Sequence, residues 1–374
     1  MKNTPFIIHR DNLIRKYLNE SAIENNESLY GQYTMVSSNL ANYLPEIDPQ
    51  KHMQLFIRLL IHKQLSKLEQ GAEEALTYLT VENLTDEKLN YLRNRPAIIC
   101  TFHTGSYRMI NMWLVKRKIP FTLVIGKTIL EQEGQDYYSL FSSLKENNRE
   151  DNFKIIDAEN AHVGLQMIRE LKQGRVLLLF LDGNSGAGSA TVENGNACIV
   201  DFLHQQIHTR TGIGYLAHAI QVPVFPVINY RPSWNDVRLL FCEPISPDAS
   251  EDREKFAKRV TQSLYDLVAP IIKKYPEQWE AWLYLHKVAR ISNPIAPESS
   301  KKTGEFLSFN LKSFGLFTIN AKPFLFQKNN YTSYLIDTCL FSNLKRSISE
   351  PVANHEFKLQ ELKELHKRGV LLYV

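Results

Sequence analysis

Apolar residues recur at helical spacing through HMQLFIRLLIHKQLSKLEQ, where Met53, Phe56, Ile57, Leu60, Ile61, Leu65 and Leu68 share one stripe. Such a stripe predicts an amphipathic helix that buries one face. Pro45 and Pro49 punctuate the approach to it, and residues 1 to 95 together read as a helical N-terminal cap. At Pro96 the period changes. AIICTF, FTLVI, FKIID, RVLLLFLD, CIVDFL, VPVFPVIN and VRLLFC read as strands, with amphipathic helices expected near Tyr107 to Lys118, Glu131 to Glu146, Ala161 to Lys172 and Thr209 to Ala219.

This alternation predicts an α/β domain over residues 96–290, with a central, mostly parallel or mixed sheet flanked by helices. Several strands are apolar throughout, as expected when helices cover both faces of a sheet. SEDREKFAKRVTQSLYDLVAPIIKKY and PEQWEAWLYLHK read as helices that close the domain. A linker rich in proline, serine and charge is expected at 291–304. Beyond it, residues 305–374 carry aromatic and β-branched runs, then two helical patterns and a terminal GVLLYV strand, enough for a small α+β domain.

Length agrees with this division, because 374 residues exceed the usual single core. Forty-four basic residues against forty acidic leave a net charge of +4, which calls for no nucleic-acid partner. Cys100, Cys198, Cys242 and Cys339 lack zinc-type spacing and read as buried thiols in a reducing cytoplasm. The N-terminal residues have no signal-peptide core, and no run of about 18 apolar residues occurs. The expectation is a soluble cytoplasmic protein, at most peripheral to the inner membrane. No motif requires a metal or a cofactor.

The chemistry is concentrated in CTFHTGSYR. His103 follows a buried strand and precedes a helix, where an open α/β sheet presents functional groups. A histidine there can take a proton from an incoming hydroxyl or amine. Thr104, Gly105 and Ser106 are small enough for close approach and suit the start of the next helix as an N-cap. The bland reading is a histidine satisfied by nearby backbone.

His103 and the residues after it resemble the H-x-x-x-x-[DE] motif of the lysophospholipid acyltransferase superfamily, in particular the bacterial lipid A lauroyl/myristoyl acyltransferases. Further blocks resemble that family in the same order: LKQGRVLLLFLDGN, VDFLHQQIHTRTGIGYLAHAIQVPVFPVINYR and YPEQWEAWLYLHK, with coverage from about residue 50 to 288. The resemblance implies transfer of a fatty acyl group from an acyl carrier protein or coenzyme A thioester to a hydroxyl or amine. In the family the histidine is the general base, and the acid five positions on orients it.

Here position 108 is Arg108, which cannot accept the imidazole N–H. Three explanations stand side by side. Asp182, at the end of RVLLLFLD, replaces the lost carboxylate, because neighbouring parallel strands deliver their C-terminal ends to one crevice. Alternatively Arg108 binds an anionic group of donor or acceptor while His103 acts alone on an amine. In the third, the chain is a catalytically silent acyltransferase-fold binding protein. A weakened dyad favours an amine acceptor, which needs less help from a base.

Other positions are weaker. Thr209 and Thr211 flank an expected helix start whose N–H groups can receive negative charge, with Arg210 beside them. Lys127 falls where the family often has an arginine. Arg210, Thr211 and Lys127 read as substrate contacts or as ordinary surface residues. The loop from Asn184 to Asn196 is glycine-rich, and Gly186 and Gly188 suit closure over substrate. Trp113 with Lys116, Arg117 and Lys118 forms an aromatic and basic cluster suited to a membrane surface or an acidic carrier protein, and a solvated helix end with favourable positive charge explains the basic residues equally well. The C-terminal domain resembles, by pattern alone, the winged peptide-recognising domains of ribosomal-peptide maturation enzymes. That likeness implies a peptide acceptor recruited on a sheet edge, in keeping with natural product biosynthesis; the alternative for the domain is a structural or oligomerisation module, and the alternative acceptors are a lipid, a sugar or another specialised metabolite.

Overall fold

The computed structural model describes residues 4–17, 23, 25–143, 153–183, 197–248, 250–293 and 303–374. It divides into two compact units. The first comprises Met1–Lys16, Arg58–Phe202 and Ile207–Ala281, and the second Tyr17–Ile57, Leu203–Gln206 and Trp282–Val374.

The first unit is built on seven strands: β1 (Leu79–Glu82), β2 (Ala97–Thr101), β3 (Phe121–Ile125), β4 (Phe153–Asp157), β5 (Val176–Phe180), β8 (Val224–Ser233) and β9 (Asp236–Phe241), with β6 (Ala197–Phe202) and β7 (Gln205–Arg210) apart from them. Their order across the sheet is β1-β9-β8-β2-β5-β3-β4. Every neighbouring pair is parallel except β8 and β9. The α/β class read from the alternating pattern is the class observed. All five residues of β2 are buried, as expected for a central strand whose side chains alternate between two covered faces. Ile99, Leu123, Leu178, Phe225 and Val227 lie in one apolar core with the helix Met109–Lys116.

Some elements differ from the sequence reading. Leu79–Glu82 falls inside the stretch read as helical, yet it is a strand paired to β9. Four residues are too few for a period of two to stand out from the helical stretches on either side. The helix expected from Thr209 begins at Gly212, because Thr209 and Arg210 end β7. At Gly214 a Cβ would come within 2.5 Å of the Ala257 Cα, so this helix packs backbone to backbone on Arg253–Lys274. The latter is capped by Asp252, whose carboxylate accepts from the Lys255 N–H at 2.9 Å.

The second unit carries the helix Glu27–Tyr43, the short strand β10 (Ala289–Arg290) and the C-terminal strands. β11 (Phe306–Phe309) lies between β15 (Val352–Ala353) and β16 (Leu371–Tyr373), and β12 (Phe314–Ile319), β13 (Lys322–Gln327) and β14 (Thr332–Leu335) form an antiparallel meander. Leu307, Leu316, Leu344, Leu362 and Leu371 are at the centre of its own core. Glu27–Tyr43 packs against β12, where the Thr34 hydroxyl donates to the Leu316 carbonyl at 2.9 Å. A Cβ on Gly315 would meet the Thr34 methyl at 2.8 Å, so that approach requires glycine. Most of the expected linker, residues 294–302, lies outside the described residues.

Among the described residues no helix is long and apolar enough to cross a membrane. Cys100 and Cys198 are buried as expected, but Cys242 is half-buried and Cys339 exposed. Cys339 sits in the first turn of the helix Thr338–Ser349, which turns that position away from the core.

Candidate functional site

Register places the site. In the parallel pair of β2 and β5, Thr101 stands opposite Phe180, so the residues two further on in each chain, His103 and Asp182, leave the sheet side by side. The Leu181 N–H donates to the Thr101 carbonyl at 3.0 Å and extends the pairing past the strand ends. Both side chains therefore arrive in the crevice beyond the carboxyl ends of the strands.

Asp182 is surrounded by donors. Its carboxylate accepts the His103 backbone N–H at 3.0 and 3.1 Å, the His103 Nδ1–H at 2.7 Å and the Trp279 indole Nε1–H at 2.7 Å. An ionised carboxylate only accepts, so this contact fixes the proton on Nδ1 and leaves the Nε2 lone pair as the ring's base. The Asp182 side chain is 2% exposed and that of His103 is 21% exposed, so the acid is sealed while the imidazole still meets solvent.

The ring is wedged as well as hydrogen-bonded. It stacks on Phe180 with centroids 4.6 Å apart and meets Tyr107 edge-on at 4.8 Å. Burial pulls the imidazole pKa down, but the Asp182 charge and hydrogen bond, helped by Glu280, outweigh it. The Arg108 charge opposes them, and the balance leaves His103 above the usual histidine value.

The loop after His103 is tied to the closing segment. The His103 carbonyl accepts from the Glu280 N–H at 2.8 Å, and the Gly105 N–H donates to the Gln278 carbonyl at 3.0 Å. Gly105 has φ +53°, and a Cβ there would lie 2.7 Å from the Asn229 Oδ1, so the turn requires glycine. Ser106 does not cap the next helix. Its hydroxyl donates to Glu69, its N–H donates to the Asn229 Oδ1 at 2.6 Å, and the helix starts only at Met109.

Arg108 is not free to meet an anion in this conformation. Its guanidinium pairs with Glu133 and also donates to Gln70 and the Tyr137 hydroxyl, each at 3.3 Å. Burial raises the Glu133 pKa, but Arg108 and Lys67 outweigh it and hold the carboxyl below its ordinary value. A half-buried, paired arginine thus occupies the position where the resemblance expects an acid, and the carboxylate in contact with the ring comes from the neighbouring strand.

The remaining sequence candidates are not among the contacts of the imidazole. Lys127 opens the helix Lys127–Ser143, with its Nζ 3.8 Å from Glu131 and its side chain 63% exposed. Arg210 ends β7, and Thr211 is buried at the N-cap position of Gly212–Ile220. Gly186 and Gly188 lie outside the described residues. Trp113, expected at a surface, is buried against Phe241 with centroids 5.3 Å apart. The whole run Met109–Val115 is buried, so the tryptophan belongs to the core and Lys116 pairs with Glu73.

Several site residues escaped the sequence reading. Phe180 reads as one more strand residue, and Trp279 as one more aromatic in PEQWEAW. Trp279 is held edge-on by Phe202 at 5.1 Å, which aims its N–H at Asp182. Beneath the loop, Arg231 reaches the Glu69 carboxylate at 2.5 and 2.6 Å and also contacts Ser106. The side chains of this pair are 1% and 3% exposed. The only sequence signal for these contacts was the order of the blocks, since HTGS, the NYR segment of β8 and PEQW converge here.

No curated protein matches the chain. A family model described as bacterial lipid A biosynthesis acyltransferase matches residues 61–288, more than half of the chain and the span that supplies His103, Asp182, Trp279, Glu69 and Arg231. With that match over more than half of its length, the chain belongs to the bacterial lipid A biosynthesis acyltransferase family.

Proposed function

We propose that the protein transfers a fatty acyl group from a thioester, carried by acyl carrier protein or coenzyme A, to an amine or hydroxyl acceptor, with His103 as general base and Asp182 as the acid that orients it. The observation that carries this reading is the 2.7 Å contact from His103 Nδ1 to Asp182. In the proposed step the His103 Nε2 takes the acceptor proton as the nitrogen or oxygen attacks the thioester carbonyl. The C–S bond then breaks, and the thiolate leaves with a proton returned from the imidazolium. Asp182 favours the tautomer with Nε2 free and stabilises the imidazolium that forms.

The alternative of a silent binding protein turned on whether any carboxylate reaches His103. Asp182 does so, which supports the catalytic reading over the silent one. The acceptor reading stays with an amine or a hydroxyl of a lipid, peptide or specialised metabolite. A peptide acceptor has its support in the second unit, where β14 is the outer strand of its sheet and Leu335 is 65% exposed, the kind of edge that takes an added strand. Lys127, Arg210 and Thr211 are kept as substrate contacts for the anionic parts of donor or acceptor.

The test is intact-mass analysis of candidate acceptors after incubation with acyl-carrier-protein and acyl-coenzyme A donors. Once a reacting pair is found, its kcat/KM is expected to rise with pH, because only neutral imidazole accepts a proton. The inflection should lie above 6.5, the ordinary histidine value, since Asp182 and Glu280 raise it. An inflection below 6.5 would contradict the assigned environment.

A further inference from the structure

The second unit contains a cavity of about 260 Å³ between the helix Glu27–Tyr43, the turn after Pro49 and strands β12 and β13. Its walls are mixed: Tyr30, Tyr33, Met53, Phe314 and Leu316 supply an apolar side, and Thr34, Ser37, Gln50 and Lys328 a polar one. Lys328 is only 2% exposed. Its Nζ donates to the Ser37 Oγ at 2.8 Å and to the Leu311 carbonyl at 2.5 Å, and among the described residues no carboxylate pairs with it.

A buried ammonium without a counter-ion is costly, and it persists only where something supplies the missing charge or where the group gives up its proton. Burial indeed lowers the Lys328 pKa to about 7. The other groups nearby do not supply an anion. His52 Nδ1 shares a hydrogen bond with the Ser37 Oγ at 2.8 Å, and burial followed by the Lys328 charge lowers its pKa to about 3, so it stays neutral.

The lysine is also clamped. Its N–H donates to the Ser313 carbonyl at 2.9 Å, and its own carbonyl accepts from Ser38 at 2.9 Å and from Asn42 at 2.8 Å. Such anchoring presents one fixed charge opposite the aromatic side of the cavity, the arrangement of a small-molecule site with a single charged orienting group. The size bounds the occupant, because an apolar cavity of about 150 Å³ holds benzene.

We propose that this cavity is a binding site for a small apolar monocarboxylate, with the carboxylate on the Lys328 ammonium and an aryl or short acyl body between Tyr30, Tyr33 and Phe314. This site is independent of the His103 crevice and of the acyl-transfer reading.

Calorimetric titration of the whole protein with benzoate, hexanoate and benzamide tests it. Benzoate or hexanoate is expected to bind about tenfold or more tightly than neutral benzamide, because the charge-assisted bond is available only to the anions. Lys328→Met should remove that preference. Equal affinity for benzoate and benzamide in the wild type, or no saturable binding of either carboxylate, would overturn the proposal. Both of these readings are made without the variant, so they stand even if Lys328→Met fails to fold.

Discussion

Replacing Asp182 by asparagine is expected to lower the acyl-transfer turnover number by about 10³–10⁴-fold, the scale seen when the orienting acid of a triad loses its charge. The amide oxygen can still accept the Trp279 N–H, so the geometry at 2.7 Å survives. What changes is the partner offered to His103 Nδ1, which no longer has a carboxylate to hold its proton and to stabilise the imidazolium. The loss should fall on kcat, with the KM for the donor nearly unchanged, because the effect is confined to the transition state. Single-turnover rates of wild type and Asp182→Asn with one donor and one acceptor provide the check. A loss below about tenfold would mean that the acid does not act through His103.

The second large effect concerns stability. Glu69→Gln leaves the Arg231 guanidinium, 1% exposed, without its counter-charge, and breaking a buried pair from one side costs about 3–5 kcal/mol. The Ser106 hydroxyl also loses its carboxylate partner, which loosens the loop that carries His103. Urea unfolding followed by tryptophan fluorescence reads this unit through Trp113, Trp234 and Trp279. The midpoint should fall clearly, and an unchanged midpoint would show that the pair contributes no net stability. Replacing the exposed Lys258, 57% exposed and paired with Glu254, should by contrast have almost no effect.

The sheet was legible because its strands are apolar throughout and bounded by polar turns, as at β2 and β5. Their adjacency was legible in consequence, since parallel strands deliver their ends to one crevice, and this brought Asp182 forward as the partner of His103. Trp279 was not legible, because its contact with Asp182 spans 97 positions and follows from the path of the chain after β9. Trp113 misled for a local reason. Basic residues follow it closely in sequence, but the helix ends at Lys116, so the charges fall beyond the buried run that contains the tryptophan.

Arg108 shows how a motif can be altered while the chemistry it served finds another source. Read alone, an arginine at that position argues against an oriented imidazole. In the folded chain its charge is paired with Glu133, and the ring's orienting contact crosses from β2 to β5 instead. The Arg108–Glu133 pair still acts on the site, because Arg108 opposes the charges that raise the His103 pKa. That opposition is weak against Asp182 at hydrogen-bond distance.

The central claim, that His103 is the base of an acyl transfer, is tested most directly by His103→Ala in the intact-mass assay with the donor and acceptor pair that the wild type uses. Transfer is expected to fall by about 10²–10⁴-fold, the usual contribution of a positioned base, in a variant whose folded state is confirmed by circular dichroism. Transfer at the wild-type rate by a folded His103→Ala protein would contradict the account.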